Sequence, residues 1–271
     1  MKKPEEIKPA EGKLGVLLPG FGAVATTFVA GVEGVRQGIA SPIGSLTQMN
    51  TIRLGKRTDN NTPLIKDFVP LVDLENLVFG AWDPIPDDGY ASAINAGVLH
   101  KENHLDPIKD FLSSIKPMPA VFDTAYVKKL DGPNKKSGAN KKDLAEQLRA
   151  DIRNFKEENG CDRLVMVWCG STEVYREETD VHSTLEKFEK GLDESDPNIL
   201  PSMIYAYCAI KEGIPYCNGA PNLSADFPAM VELARKTGAP IGGKDFKTGQ
   251  TLMKTILAPG FKSRLLGMRG W

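Results

Sequence analysis

Gly20-Phe21-Gly22-Ala23-Val24-Ala25 has the spacing of a G-x-G-x-x-A turn, behind the apolar run Leu14–Leu18 and ahead of Val24, Phe28, Val32 and Val35 at helical intervals. Strand, tight turn and helix in that order form a diphosphate cradle. The first glycine permits the turn and the second lets backbone approach the phosphates, while the helix N-terminus offers unpaired N–H groups and partial positive charge. NAD or a relative fits there. An acidic residue about 20 positions on normally holds the adenosine ribose, yet no Asp or Glu stands between Glu33 and Asp59. The next strand ends at Gly80-Ala81-Trp82-Asp83, so Asp83 is the candidate, either for the ribose hydroxyls or only as the start of a turn at Pro84. A carboxylate in the ribose position repels a 2′-phosphate and favours NAD over NADP.

Three later segments extend the chemistry. Cys169-Gly170-Ser171-Thr172-Glu173 follows the buried-type run Leu164–Trp168, and Asn218-Gly219-Ala220-Pro221-Asn222 follows Cys217. Loops at the carboxyl ends of parallel strands line the ligand crevice of an α/β sheet, though each is also an acceptable plain connection. Gly242-Gly243-Lys244-Asp245-Phe246-Lys247-Thr248-Gly249-Gln250-Thr251 departs from a Walker loop because Lys247-Thr248 precedes the second glycine. It suits an anion nonetheless. Thr248 or Thr251 can cap the following helix, Gly249 allows close approach, and Lys244, Lys247 and Lys254 supply charge.

These segments need a scaffold that gathers strand ends. Strand-like runs at 14–18, 76–80, 120–122, 164–168, 215–217 and 240–241 alternate with helical patterns at 24–35, 143–158, 204–210 and 227–237. The helix over 143–158 stops at Asn159-Gly160, and the one after Phe227 stops at Gly238. The alternation predicts an α/β, doubly wound parallel sheet, interrupted by a stretch rich in Thr, Gly, Pro and Asn from Gln37 to Pro70. The final pattern, with Met253, Ile256 and Leu257, is one more helix.

Composition narrows the partners. The 271 residues are 41% hydrophobic and 25% charged, enough for a sizeable core. Thirty-four basic and 35 acidic side chains leave a net charge of −1, without the positive field of a nucleic-acid binder. The opening Met1-Lys2-Lys3-Pro4-Glu5-Glu6 has no signal-peptide character, and no segment approaches the roughly 18 apolar residues of a membrane span. A soluble cytoplasmic protein is expected. Cys161, Cys169, Cys208 and Cys217 lack zinc-ligand spacing and are expected as free thiols.

Other polar clusters invite weaker readings. His100 and His104, with Glu102 and Asp106, could share a metal, but the acid is misplaced for H-E-x-x-H and Asn103 and Pro107 argue for a loop. No metal site is expected. Six lysines from Lys128 to Lys142 suggest a solvated loop, and nine acids against three bases from Glu173 to Asp196 suggest an exposed face or, less favoured, a cation site.

Five segments in order carry a resemblance: the Gly20-Phe21-Gly22 turn, Gly80–Asp83, Val167–Glu173, Asn218–Asn222 and Gly243–Thr251. The chain resembles the myo-inositol-phosphate synthase family in a prokaryotic form, the last segment matching its G-x-D-x-K-[ST]-G-Q-T signature. The resemblance implies recycled NAD and conversion of glucose 6-phosphate to inositol phosphate by oxidation, enolisation, aldol closure and reduction. It implies that Gly20, Gly22, Ala23 and Val24 hold the pyrophosphate and Asp83 the ribose, with Cys169, Gly170, Thr172, Gly219 and Ala220 lining the rest of the NAD site. Asp245 would lie near the nicotinamide, and Thr248 and Gln250 would contact substrate phosphate. Two segments depart from common family forms: Cys169-Gly170-Ser171 stands where Thr-Ala-Asn is frequent, and Ala23-Val24 where eukaryotic members carry two asparagines.

The family's essential lysines and tetramer-forming sheet lie beyond the matching segments, so a truncated chain is expected. Its divisions would be a tail over 1–11, an NAD-binding domain over 12–250 and the beginning of a second, α+β catalytic and oligomerisation domain over 251–271. Two rival functions are an NAD-dependent sugar-phosphate dehydrogenase and a non-catalytic NAD-binding module.

Overall fold

A computed structural model describes residues 10–246 and 249–267. Six parallel strands form one sheet in the order β3-β2-β1-β4-β5-β6: β1 (Leu14–Pro19), β2 (Leu77–Asp83), β3 (Met118–Pro119), β4 (Arg163–Trp168), β5 (Tyr216–Asn218) and β6 (Ile241–Gly243). The chain moves outward from β1 through β2 to β3, then returns to the other side of β1 for β4. That reversal leaves a crevice between the carboxyl ends of β1 and β4, the usual ligand position in an open α/β sheet. The expected doubly wound sheet is therefore present.

Alternate side chains along the strands feed two cores. Leu17, Trp82, Met166 and Trp168 join the side covered by α6 (Lys141–Glu158), α8 (Pro201–Lys211) and α9 (Pro228–Thr237). Val16, Leu18, Phe79 and Ala81 face α1 (Ala23–Arg36), α4 (Gly89–Ala96) and α5 (Lys109–Ser114). Both faces are covered, which explains why the central strands read as continuous apolar runs. Helix α8 is buried from Pro201 to Ile210 because it lies between α6 and α9 as well as against the sheet.

The long delay before β2 holds two single-turn helices, α2 (Leu46–Met49) and α3 (Ile65–Phe68). Arg36 ties its far end back to the domain. Its guanidinium donates to the carbonyls of Leu74 and Leu77 at 2.9 and 2.6 Å and lies over the rings of Phe79 and Phe111. Leu77 thereby starts in register with Leu14, and Trp82 ends opposite Pro19.

Several expectations need correction. The third strand is Met118–Pro119 rather than 120–122, since Ala120 forms only an isolated bridge with Lys135. Lys101–Leu105 is a π-helical turn rather than a loop, and His104 turns back to accept the His100 N–H. The acidic stretch contains α7 (Leu185–Asp193), whose Leu185, Phe188 and Leu192 are buried while its charges occupy the opposite side. The lysine-rich stretch is only partly solvated. Lys136 pairs with Asp151 at 2.7 Å with its side chain 8% exposed, and Lys141 donates to the carbonyls of Asp196 and Ile199. The last helix, α10 (Gly249–Ser263), begins ahead of Thr251, so that residue is not its cap. Its Leu252, Met253 and Ile256 side chains are exposed.

Candidate functional site

A cleft of about 540 Å³ opens at the strand reversal. Gly20 through Val24, Trp82 and Asp83, Trp168 through Glu173, Gly219 through Pro221, and Asp245 with Phe246 line it. Four strand ends are joined by backbone. Gly20 N–H donates to Trp82 O at 2.8 Å, Cys169 N–H to Pro19 O at 2.9 Å, and Gly219 N–H to Trp168 O at 3.0 Å.

Gly20 has φ +89°, and a Cβ there would lie 2.3 Å from Gly170 Cα. Only glycine lets the loops after β1 and β4 meet this closely. Gly22 occupies the N-cap of α1 without a side-chain cap, and a Cβ added to it meets nothing within 4 Å. The first turn of α1 thus presents its N–H groups and its positive end to open cleft. That geometry suits an anion, at the place the glycine spacing predicts.

Asp83 closes the adjacent side. Its carboxylate accepts the Phe21 N–H at 2.7 Å and the Ile85 N–H at 2.9 Å. The bond to Ile85 forms the turn at Pro84, as one of the two readings of this residue expects, and the bond to Phe21 fixes the glycine loop. Burial pushes its pKa upward, opposed by those two N–H groups. Each oxygen keeps a lone pair for a further donor.

Asp245 and Phe246 reach the cleft because the backbone after β6 follows the loop after β5. Asp245 N–H donates to Asn218 O at 3.2 Å and Phe246 N–H to Gly219 O at 3.0 Å. Gly219 must lack a side chain, since a Cβ would lie 2.2 Å from the Phe246 ring. The early glycine turn and this late segment therefore face one another. Lys244 does not join them: its ammonium pairs with Asp226 at 2.8 Å, away from the cleft. Thr248 and Lys247 lie outside the described residues, as does the Gln250 side chain.

Cys169 lies in the wall as a neutral thiol, its pKa pushed up to about 12 by burial and by the nearby Cys217. All four cysteines are free thiols. Sequence reasoning placed Glu173 in a crevice loop and in the acidic stretch but did not single it out as a buried site residue. It is 5% exposed and accepts hydrogen bonds from Ser202 and Asn222. One signal was available, since it is the only acid between Asp162 and Glu177 and stands at the exit of a buried strand. Among the described residues, no three His, Cys, Asp or Glu side chains converge as a metal set, and the cleft holds no Lys, Arg or His.

A doubly wound sheet with a glycine turn and a helix N-terminus at its reversal point defines a nucleotide-binding domain of the Rossmann class. More particularly, the chain belongs to the NAD-binding family described as myo-inositol-1-phosphate synthase, whose profile matches residues 14–263. Inositol-3-phosphate synthase 1 of Bacteroides thetaiotaomicron is 51% identical over 269 residues, which is 98% of this chain and 62% of that protein. Inositol-3-phosphate synthase 1 of Oryza sativa subsp. japonica is 35% identical over 260 residues, 90% of this chain and 51% of the rice protein. The solved inositol-3-phosphate synthase of Caenorhabditis elegans is similar with a TM-score of 0.83 at 28% identity, over 95% of this chain and 53% of its own. The chain thus spans between about half and 62% of the relatives it matches. None of the helices among the described residues is long and apolar enough to cross a membrane.

Proposed function

We propose that this chain is the NAD-binding portion of an inositol-3-phosphate synthase, acting in the redox-neutral conversion of glucose 6-phosphate to myo-inositol phosphate. One observation carries the reading: the open N-terminus of α1, Asp83, the loops after β4 and β5, and Asp245 all face one cleft. When bound, NAD supplies a hydride acceptor and, once reduced, the matching donor. Backbone N–H groups of Gly22, Ala23 and Val24 stabilise the diphosphate, and the absence of a side chain at Gly20 keeps the turn tight. Asp83 accepts from the adenosine ribose hydroxyls. Cys169, Gly170, Thr172, Gly219 and Ala220 line the remaining wall, and Asp245 lies beside the nicotinamide end. Thr248 and Gln250 complete the reading as substrate-phosphate contacts.

The division into a tail over 1–11, a cofactor domain over 12–250 and a further domain beginning at 251 belongs to the same proposal, as do a tetramer and a cytoplasmic location. A second reading has its own observation. The charged side chains among the described cleft residues are all carboxylates, which favours a reading of this portion as a dinucleotide-binding module.

Separate calorimetric titrations of NAD⁺ and glucose 6-phosphate, followed by a turnover assay that tracks NADH, test these readings. The synthase reading expects binding of both NAD⁺ and glucose 6-phosphate without net NADH, turnover not being required of a portion whose family lysines lie beyond the matching segments. Accumulating NADH identifies a dehydrogenase, binding of NAD⁺ alone identifies a module, and no binding of NAD⁺ rejects the proposal.

A further inference from the structure

Among the described residues Glu173 is the one buried carboxylate in the cleft wall, and its hydrogen bonds tie its own loop to two other segments. Ser202 N–H donates to Oε1 at 2.9 Å, Ser202 Oγ–H donates to Oε2, and Asn222 Nδ2 donates to Oε2 at 3.2 Å. The backbone answers in kind, because Glu173 N–H donates to Asn222 Oδ1 at 3.0 Å. From Asn222 the network continues toward the late loop. Asn218 Nδ2 donates to Asn222 O at 2.7 Å, Asn218 Oδ1 accepts the Ala220 N–H at 3.0 Å, and Asn218 O accepts the Asp245 N–H. One carboxylate therefore links the start of α8, the loop after β4 and the loop after β5, with Asp245 at the end of the chain of bonds.

We propose that Glu173, resting on the NAD-binding reading above, is a positioning residue whose ionised carboxylate locks the loops after β4 and β5 into the shape that receives the dinucleotide. The polarity of the network favours the charge. Three donors converge on its two oxygens, and the Asn222 amide has its own oxygen committed to the Glu173 N–H, so its NH₂ faces Glu173. A protonated carboxyl would accept from at most two of them, because its own proton would have to take Ser202 Oγ as acceptor. Burial pushes its pKa to about 7, opposed by the Ser202 and Asn222 bonds and by Lys141. The titratable groups facing it from packed elements are Lys141 at the start of α6, Tyr126 from the loop after β3 and Tyr216 of β5. Burial raises both phenols, farther from neutrality, and lowers the Lys141 amine. The clamp holds above about pH 7 and loosens as pH falls through that value.

The test uses the whole 271-residue chain, with Glu173→Gln, Asn222→Asp and the double variant. Glu173→Gln turns an NH₂ toward the NH₂ of Asn222, Asn222→Asp sets two carboxylates together, and the double variant restores a donor facing an acceptor. At pH 8 each single variant is expected to bind NAD⁺ about tenfold more weakly, and the double variant to recover to within about threefold of the parent. The parent's affinity should fall from pH 8 to pH 6, and that of Glu173→Gln should not. Hydrogen exchange at the Gly219, Ala220 and Phe246 amides, measured without nucleotide, should be faster in each single variant and recover in the double. Single variants that bind and exchange like the parent, or a double variant no better than either single, overturn the proposal. A persisting pH response in Glu173→Gln assigns the titration to another group and overturns it as well. A parent that ignores NAD⁺ rejects the NAD reading alone, and the exchange measurement then decides the role of Glu173.

Discussion

Replacing Gly20 and Gly22 one at a time by alanine separates the two roles assigned to the glycine turn. At Gly20 the added methyl would meet Gly170 Cα at 2.3 Å, Gly170 N at 2.4 Å and the Cys169 carbonyl carbon at 2.8 Å, all of them backbone that cannot rotate away. The residue also holds φ +89°, where an L side chain is strained by about 1–2 kcal/mol. Forced separation of packed segments adds about 1–3 kcal/mol. Gly20→Ala is therefore expected to lose about 2–5 kcal/mol, a large share of the roughly 5–15 kcal/mol that holds a domain folded. In calorimetry that corresponds to a melting temperature lower by roughly 5–15 °C. Gly22→Ala meets no atom within 4 Å at φ −91°, so its stability should stay within about 1 kcal/mol of the parent. Its methyl nevertheless projects where a diphosphate must approach the first turn of α1, and NAD⁺ affinity should fall at least about tenfold, or 1.4 kcal/mol. An unchanged melting temperature for Gly20→Ala would refute the close approach of the two loops. Unchanged NAD⁺ affinity for Gly22→Ala would refute the placement of the diphosphate.

Asp83→Asn should weaken NAD⁺ about tenfold and narrow the preference over NADP⁺, because one amide oxygen cannot serve both the Phe21 and Ile85 N–H groups and the repulsion of a 2′-phosphate disappears; paired titrations of the two nucleotides measure it. Asp151→Ala removes the acceptor of both the Lys136 ammonium at 2.7 Å and the Trp82 indole N–H at 2.8 Å, so denaturant unfolding should show a loss of about 3–5 kcal/mol. His182 is fully buried and accepts the Thr179 N–H at Nδ1, leaving Nε2–H to donate to Asn198 O. Burial lowers its pKa from 6.5, so the unfolded chain protonates first. Its contribution is present above about pH 6.5 and is lost as pH falls through the lower folded value. Melting curves between pH 8 and 5 should show that loss in the parent and a shallower one in His182→Gln.

Local order was legible wherever chemistry and periodicity acted within one segment. The apolar run Leu14–Leu18, the glycine turn and the stripe Val24, Phe28, Val32 and Val35 specify strand, turn and helix through neighbours in the chain. Leu144, Leu148 and Ile152 with the stop at Asn159-Gly160 specify α6 in the same way. Where charge dominated the composition, as in α7, the buried face of Leu185, Phe188 and Leu192 was masked by acids that project outward. Lys244 shows the converse, since its partner Asp226 is 18 positions away and set by a turn of the fold.

Asp83 marks the boundary between the two kinds of information. Its residue type and its place at the end of a strand could be read in advance, but its bond to Phe21 spans 62 positions and exists because β2 pairs with β1 in register. Glu173 lies mostly on the other side: its place at the exit of a buried strand could be read, but only the packing of α8 against β4 and β5 brings Ser202 and Asn222 to it. Sequence determined the class of chain, the ends of the central strands and the small residues that follow them, because backbone conformation and amphipathic period are short-range properties. Tertiary structure alone decided which polar groups share a cleft and which lose their water, because desolvation and hydrogen-bond partnership depend on elements far apart in the chain.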